Sequence, residues 1–125
     1  MGAPYRTDLL YDEELRALAD QHEQFTYCTA LSREPYLDTG RGRYVDQCLR
    51  HELADCAGVL ASDRTLIYIC GIAGMENGVY AALVEAGVAD GYVSIPDDVP
   101  ADPGKWDRAA RKLLRHGPRY FVEVY

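Results

Sequence analysis

The chain has 125 residues, enough for one small domain. Its 48% hydrophobic and 26% charged residues are close to globular averages and exclude a wholly disordered chain. A net charge of -7 argues against a nucleic-acid-binding surface. Because no run is apolar enough for a membrane span or a secretion signal, we expect a cytoplasmic protein.

The first half of the chain alternates between helix and strand signals. Leucines at helical spacing, with acidic residues in the early part, predict a helix over 9–22. Aromatic and β-branched residues predict a strand over 25–31, followed by a loop over 34–43 that contains proline and glycines. A single apolar stripe predicts a longer helix over 44–60.

The second half continues this alternation. Residues 65–70 are almost wholly apolar, which is typical of a strand covered on both faces, and a glycine turn leads into a helix over 75–86. Residues 87–104 predict an irregular surface excursion, and residues 106–116 a short amphipathic helix with a basic end. Residues 119–125 predict a final strand. Together the elements predict an α/β fold with three layers, in which a mostly parallel sheet has helices on both faces.

Four cysteines lie at irregular intervals without a C-x-x-C pair, so we expect neither disulfides nor a zinc site. The thiols are expected to be reduced and mostly buried. Three histidines are scattered singly and predict surface or capping positions, and Trp106 predicts a packing anchor. No metal site is predicted.

Polar residues follow the first predicted strand, where a parallel sheet binds its ligands. Ser32 and Arg33 offer a hydroxyl and a guanidinium, and Arg43 and Tyr44 add a second guanidinium and a phenol ring. This combination suits a phosphate monoester on a purine nucleotide. The alternative is that both arginines pair with nearby acidic residues on the surface.

The second and last strands bring further reactive groups to the same edge. Cys70 precedes Gly71 and Gly74, whose lack of a side chain allows close approach to a ligand. A buried core thiol is the alternative for Cys70. Glu123 and Tyr125 end the chain in a strand, and a simple edge strand is the alternative there.

Four segments resemble the plant-type ferredoxin-NADP⁺ reductases, in the order in which that family has them. They are ALSRE at 30–34, YV at 44–45, IYICGIAGMENG at 67–78 and VEVY at 122–125. The resemblance implies the ferredoxin reductase-like NADP-binding domain. It also implies that the FAD-binding barrel and the first βα unit of that domain are missing, so that residues 1–125 are a C-terminal domain truncated at its N-terminus.

The resemblance implies that Ser32, Arg33 and Tyr44 bind the 2′-phosphate and adenine of NADP⁺. The family has a basic residue two positions before the tyrosine, where this chain has Gly42, so Arg43 is expected to substitute for it.

The resemblance also implies a redox end of the site. Cys70 corresponds to the cysteine beside the nicotinamide, Glu123 to a carboxylate near nicotinamide and flavin, and Tyr125 to the terminal aromatic ring that stacks on the flavin. Gly71, Gly74 and Met75 belong to the turn that contacts the nucleotide.

The expected function is hydride transfer between NADPH and FAD, with electrons exchanged with a ferredoxin or flavodoxin-like carrier. The chain alone should be inactive, because flavin would be bound mainly by the missing domain. Two alternatives are the reductase component of an oxygenase, of the benzoyl-CoA epoxidase reductase type, and a nucleotide-binding module without catalysis.

Overall fold

Helices and strands alternate along the chain in the computed structural model, which describes residues 1–125. The four α-helices are α1 (Asp12–Gln21), α2 (Val45–Leu60), α3 (Met75–Glu85) and α4 (Arg108–Leu113). The six strands are β1 (Gly2–Ala3), β2 (Ala30–Leu31), β3 (Ile67–Gly71), β4 (Val93–Ser94), β5 (Arg115–His116) and β6 (Tyr120–Val124). The predicted α/β class is confirmed.

The strands pair two by two, and most of the pairing is parallel. β1 pairs with β2, and β3 pairs with β6, each in parallel, whereas β4 and β5 are antiparallel. Parallel partners need a long crossover connection, and helices provide it in both parallel pairs. No helix of the protein is both long and apolar enough to cross a membrane.

The chain divides into two compact units, the N-terminal unit (Met1–Cys48) and the C-terminal unit (Leu49–Tyr125). The boundary falls inside α2. The N-terminal unit buries only three apolar residues, Leu9, Ala30 and Leu31. The C-terminal unit buries twelve, namely Leu53, Leu60, Val79, Tyr80, Ala82, Leu83, Tyr92, Val99, Trp106, Ala110, Leu114 and Tyr120. Most of the hydrophobic stabilisation therefore lies in the C-terminal unit.

The strand predicted over 25–31 is much shorter in the structure. Only Ala30 and Leu31 form β2, because the partner strand β1 has only two residues to pair with. Tyr27, within the predicted strand, instead donates its hydroxyl to Asp12 at the start of α1, over 3.0 Å. The strand propensity was present, but no neighbouring strand extends the ladder.

β3 is covered on one face only, so the expectation of a strand buried on both faces is wrong. Ile67 and Ile69 pack against the core, while Tyr68 is 66% exposed and Cys70 is exposed. Half-buried and exposed side chains alternate along β3. The sequence did not show this alternation, because the outward-facing Tyr68 and Cys70 are themselves classed as hydrophobic.

Residues 87–104 contribute to the core, contrary to the predicted surface excursion. Tyr92 is fully buried and Val99 nearly so, and β4 pairs with β5. Trp106 is 4% exposed and donates its Nε1 proton to the Pro100 carbonyl oxygen at 2.6 Å, which confirms its role as a packing anchor.

Arg119 connects three segments of the C-terminal unit. Its guanidinium lies over the Tyr92 ring, with Cζ 4.3 Å from the centroid, and donates to the carbonyl oxygens of Ser62 and Asp90. The Tyr92 hydroxyl in turn donates to the Leu60 carbonyl at 2.8 Å. One arginine thus satisfies backbone acceptors at the end of α2 and before β4, and it precedes β6 directly.

Candidate functional site

The N-terminal unit presents a hydroxyl, a guanidinium and a phenol beyond the end of β2. Main-chain bonds from Ser32 to the Ala3 carbonyl (3.0 Å) and from Arg33 to the Pro4 carbonyl (2.9 Å) fix the turn. The Arg33 side chain is exposed and makes no ion pair or hydrogen bond. Tyr44 is 67% exposed at the start of α2. The Arg33 and Tyr44 side chains are therefore exposed, whereas Ser32 is half-buried, and surface pairing does not describe Arg33.

Arg43 differs from Arg33, because its guanidinium is already engaged. It forms an ion pair with Asp38 and lies over the Tyr36 ring, with Cζ 4.6 Å from the centroid. Tyr36 is itself fixed, since its hydroxyl donates to the Thr29 carbonyl at 2.9 Å. Burial raises the pKa of Tyr36, so the phenol stays protonated. Arg43 thus makes a surface ion pair with Asp38, as the alternative predicted, and its role in cofactor binding stays a prediction.

Sequence reasoning missed Arg41. The residue is exposed, and its guanidinium has no hydrogen bond or ion pair. Its main-chain oxygen accepts from the Tyr36 N–H at 3.0 Å, which anchors the backbone while leaving the side chain free. The RGR sequence at 41–43 was a visible signal, but only the structure shows which arginine is unpaired.

The C-terminal unit places Cys70 and Glu123 next to each other. They are register partners in the parallel pair of β3 and β6, and both are exposed. Paired residues in neighbouring strands lie about 4.8 Å apart and project to the same face. A thiol and a carboxylate therefore share the end of an open sheet face, and the buried alternative for Cys70 is wrong.

Main-chain bonds hold the end of the chain beside the glycine turn. The Tyr125 N–H donates to the Gly71 carbonyl at 3.0 Å, and the Ala73 N–H donates to the main-chain oxygen of Tyr125 at 3.1 Å. Tyr125 as a residue is 89% exposed. Gly74 caps α3 with φ of 99°, a conformation that favours glycine, and Met75 begins that helix. Tyr125 is thus brought to the same turn as Gly71, Gly74 and Met75.

A shallow groove of about 600 Å³ runs along this open face. Its wall includes the stacked pair of Tyr68 and Phe121, whose ring centroids are 4.7 Å apart, together with Cys70, Glu123 and His116 at the end of β5. Sequence reasoning missed the aromatic pair. Its only signal was the matching position of one aromatic residue in each of the two strands, which becomes visible once the register is known.

The thiols are more accessible than predicted. All four cysteines are free, as expected, but Cys28 and Cys70 are exposed and Cys48 and Cys56 are half-buried. His22, His51 and His116 are exposed, as predicted. Residues 1–125 contain no group of three or more His, Cys, Asp or Glu side chains placed to hold a metal ion.

A basic surface was also missed. Six of the thirteen Lys and Arg residues fall within 105–119, although the chain as a whole is acidic. Arg108, Arg111 and Lys112 on α4 are exposed and form no ion pairs, and Arg115 follows in β5. The net charge of -7 masked this concentration, which a windowed charge count would have shown.

Comparison with known proteins agrees with the expected fold. A sequence model of the family described as "Oxidoreductase NAD-binding domain" matches residues 1–81. The chain is 29% identical to the chloroplastic leaf isozyme 1 of ferredoxin-NADP reductase from Arabidopsis thaliana, over 100% of this chain and 31% of that protein. It is 31% identical to the leaf-type chloroplastic isozyme from Nicotiana tabacum, over 100% of this chain and 31% of that protein.

A bacterial relative gives a similar result. The ferredoxin-NADP reductase of a Spirulina species is 32% identical over 99% of this chain and 38% of its own length. The chain spans about a third of the length of the curated relatives it matches. Because the family model covers more than half of the chain, the chain belongs to the oxidoreductase NAD-binding domain family.

Proposed function

We propose that the chain is the NADP(H)-binding part of a flavin-dependent reductase of the ferredoxin-NADP⁺ reductase type. The observation that carries the proposal is that the exposed Arg33 guanidinium has no partner, in a turn that also contains Ser32, and that Tyr44 is exposed at the start of α2. The names of the matched relatives support the same reading. In the whole protein FAD would exchange hydride with NADPH, and a ferredoxin-like carrier would exchange electrons with the flavin.

The residues of the N-terminal unit fit a 2′-phosphate on adenosine. A guanidinium offers paired, charge-assisted hydrogen bonds to phosphate oxygens, and a hydroxyl adds another donor. An exposed phenol ring provides a flat surface for a purine. Arg33 and Ser32 would hold the phosphate, and Tyr44 would hold the adenine.

The residues of the C-terminal unit fit the redox end of such an enzyme. We assign Cys70 and Glu123 to contact with the nicotinamide, and Tyr125 to stacking against the flavin. The open glycine turn, with Met75 after it, would take the nucleotide close to the backbone. A bound flavin would supply the conversion from two-electron to one-electron transfer, and Cys70, Glu123 and Tyr125 would orient the reacting rings.

The exposed cations of α4 support an acidic electron carrier as partner. Arg108, Arg111 and Lys112 have no acidic partners within the protein, so their field is available to a negatively charged surface. The association rate should fall steeply with ionic strength, and the triple substitution of these residues by glutamine should remove most of that dependence. Stopped-flow mixing with ferredoxin measures both, and a salt-independent rate would contradict this partner.

The nucleotide assignment is tested by Arg33→Ala in the flavin-containing protein. We expect KM for NADPH to rise about tenfold to a hundredfold, the usual effect of losing a charged hydrogen bond, with KM for NADH nearly unchanged. Arg64→Ala is the matched control, because Arg64 is an exposed arginine whose side chain has no partner. Equal changes for both nucleotides would refute the phosphate assignment.

Nucleotide-binding measurements and assays with different electron acceptors separate the two alternatives. A nucleotide-binding module would bind NADP⁺ without transferring electrons to any acceptor. An oxygenase reductase would oxidise NADPH but would not reduce ferredoxin or flavodoxin. We also predict that the protein is in the cytoplasm, whereas the Arabidopsis and tobacco relatives are chloroplastic by name. Immunofluorescence in the source cells distinguishes the two compartments.

A further inference from the structure

A pocket of about 500 Å³ lies between the start of α3 and α4, both of which belong to the C-terminal unit. Arg108, Arg111 and Lys112 form its α4 side. Their spacing of three and four residues places the three side chains on one face of the helix. None of them forms an ion pair or a side-chain hydrogen bond. The pocket therefore contains three cationic groups without a partner.

Two carboxylates also line this pocket, but both are held by other groups. Glu76 accepts hydrogen bonds from the Gly74 N–H at 2.8 Å and from the Asn77 side-chain amide at 3.3 Å. Asp107 caps α4 by accepting from the Ala110 N–H at 2.8 Å. Three cations against two carboxylates leave the pocket positive, in a chain whose net charge is -7.

The helix that carries the cations is fixed on its other side. Ala110 and Leu114 are buried in the core. Trp106, two residues before α4, is 4% exposed and donates its Nε1 proton to the Pro100 carbonyl oxygen. Because α4 is anchored in this way, binding has to order only the long cationic side chains and not the backbone.

The three cations suit a ligand with several adjacent negative charges. Guanidinium groups donate paired hydrogen bonds to phosphate oxygens, and an ammonium group adds a point charge. Neighbouring residues on a helix face have Cβ atoms about 5–6 Å apart, so a pyrophosphate group reaches more of them than a single carboxylate does. The volume also lies within the range of about 300–1,000 Å³ that small-molecule sites occupy.

We propose that the pocket between α3 and α4 binds a small polyanion of the phosphate-ester or pyrophosphate class, with Arg108, Arg111 and Lys112 as its ligand-binding residues. The pocket is made by the C-terminal unit alone, whereas Ser32 and Arg33 belong to the N-terminal unit. The inference therefore does not depend on the proposed function.

The protein contains its own probe for this pocket, because Trp106 is the only tryptophan of the chain and lies in the pocket wall. The 125-residue protein is titrated with inorganic pyrophosphate while Trp106 fluorescence is recorded, with sodium chloride keeping the ionic strength constant. We expect a saturable change in fluorescence. Sodium chloride alone should give no saturable change.

Arg111→Gln should weaken pyrophosphate binding about tenfold or more, the usual effect of losing a charged hydrogen bond, and Arg108→Gln should act similarly. Arg64→Gln is the matched control, because Arg64 is exposed and its side chain has no partner, and it should leave the affinity unchanged. Isothermal titration calorimetry of the same variants detects binding that leaves fluorescence unaltered, and urea denaturation shows whether each variant is folded.

Three results would overturn the inference. The first is the absence of saturable pyrophosphate binding by both fluorescence and calorimetry. The second is an affinity that neither Arg108→Gln nor Arg111→Gln changes. The third is a loss of binding in Arg33→Ala with full retention in Arg111→Gln, which would place the bound pyrophosphate at the turn after β2.

The acidic carrier of the proposed function would use the same α4 cations, so pyrophosphate should slow its association at constant ionic strength. This consequence rests on the proposed function, whereas the fluorescence titration does not. Binding of pyrophosphate with an unchanged association rate would contradict carrier docking at α4 and support the pocket.

Discussion

Arg119→Ala should be the most destabilising arginine substitution in the C-terminal unit. It removes charged hydrogen bonds to the Ser62 and Asp90 carbonyls, the second of which is 2.6 Å long, and the contact with the Tyr92 ring. Hydrogen bonds to charged groups contribute about 1.5–3 kcal/mol each, and a cation-π contact about 0.5–1 kcal/mol when partly exposed. Because Arg119 is half-buried, we take the lower values and expect a loss of about 3–4 kcal/mol in the free energy of unfolding.

Urea denaturation followed by far-UV circular dichroism measures this change. Arg119→Lys should fall between wild type and alanine, because lysine keeps the charge but cannot reach acceptors on both sides at once. Arg64→Ala should stay within about 0.5 kcal/mol of wild type, as surface substitutions do. A loss below about 1 kcal/mol for Arg119→Ala would refute the reasoning, since it is less than one charged hydrogen bond contributes.

Three further variants each change a single polar group. The hydrogen bond from Arg16, together with one from Tyr27, lowers the pKa of Asp12. The ionised Asp12 carboxylate therefore stabilises the fold fully above its ordinary pKa of about 3.9. This stabilisation is lost as the pH falls through the lower pKa of the folded state. Asp12→Asn should therefore destabilise at pH 7 and converge with wild type under acid, and a pH-independent difference in unfolding would contradict this. The Tyr120 hydroxyl is buried without a partner, so Tyr120→Phe should leave stability unchanged or raise it. Tyr92→Phe, which loses the hydrogen bond to the Leu60 carbonyl, should lower the free energy of unfolding by about 1 kcal/mol in the same urea denaturation. An equal loss for Tyr120→Phe would show that the Tyr120 hydroxyl has a partner.

The helices could be predicted from the sequence more closely than the strands. α2 and α3 begin and end within a residue of the positions indicated by apolar periodicity and the glycine turn. Helical hydrogen bonds are local, so the sequence around each helix contains its determinants. The length of β2 was overestimated, because a strand extends only where a partner strand runs beside it. Here the partner strand β1 has two residues.

The residues of the candidate site could be selected from the sequence, but the side-chain partners of its arginines could not. Ser32, Arg33, Cys70, Glu123 and Tyr125 all lie at chain positions where strands end, as the α/β pattern requires. Which arginine of 41–43 is free depends on the Tyr36 ring and on the backbone contact at Gly42. Both are tertiary features that spacing along the chain does not encode.

The backbone and the side chain of Tyr125 should move on very different timescales. Its N–H and main-chain oxygen are both used in pairing with the glycine turn, so its backbone amide should exchange slowly with solvent. The residue is 89% exposed, so its side chain can rotate about its two torsions within picoseconds to nanoseconds. The side chain can therefore change its rotamer without breaking a main-chain hydrogen bond, and it does so far faster than the backbone opens.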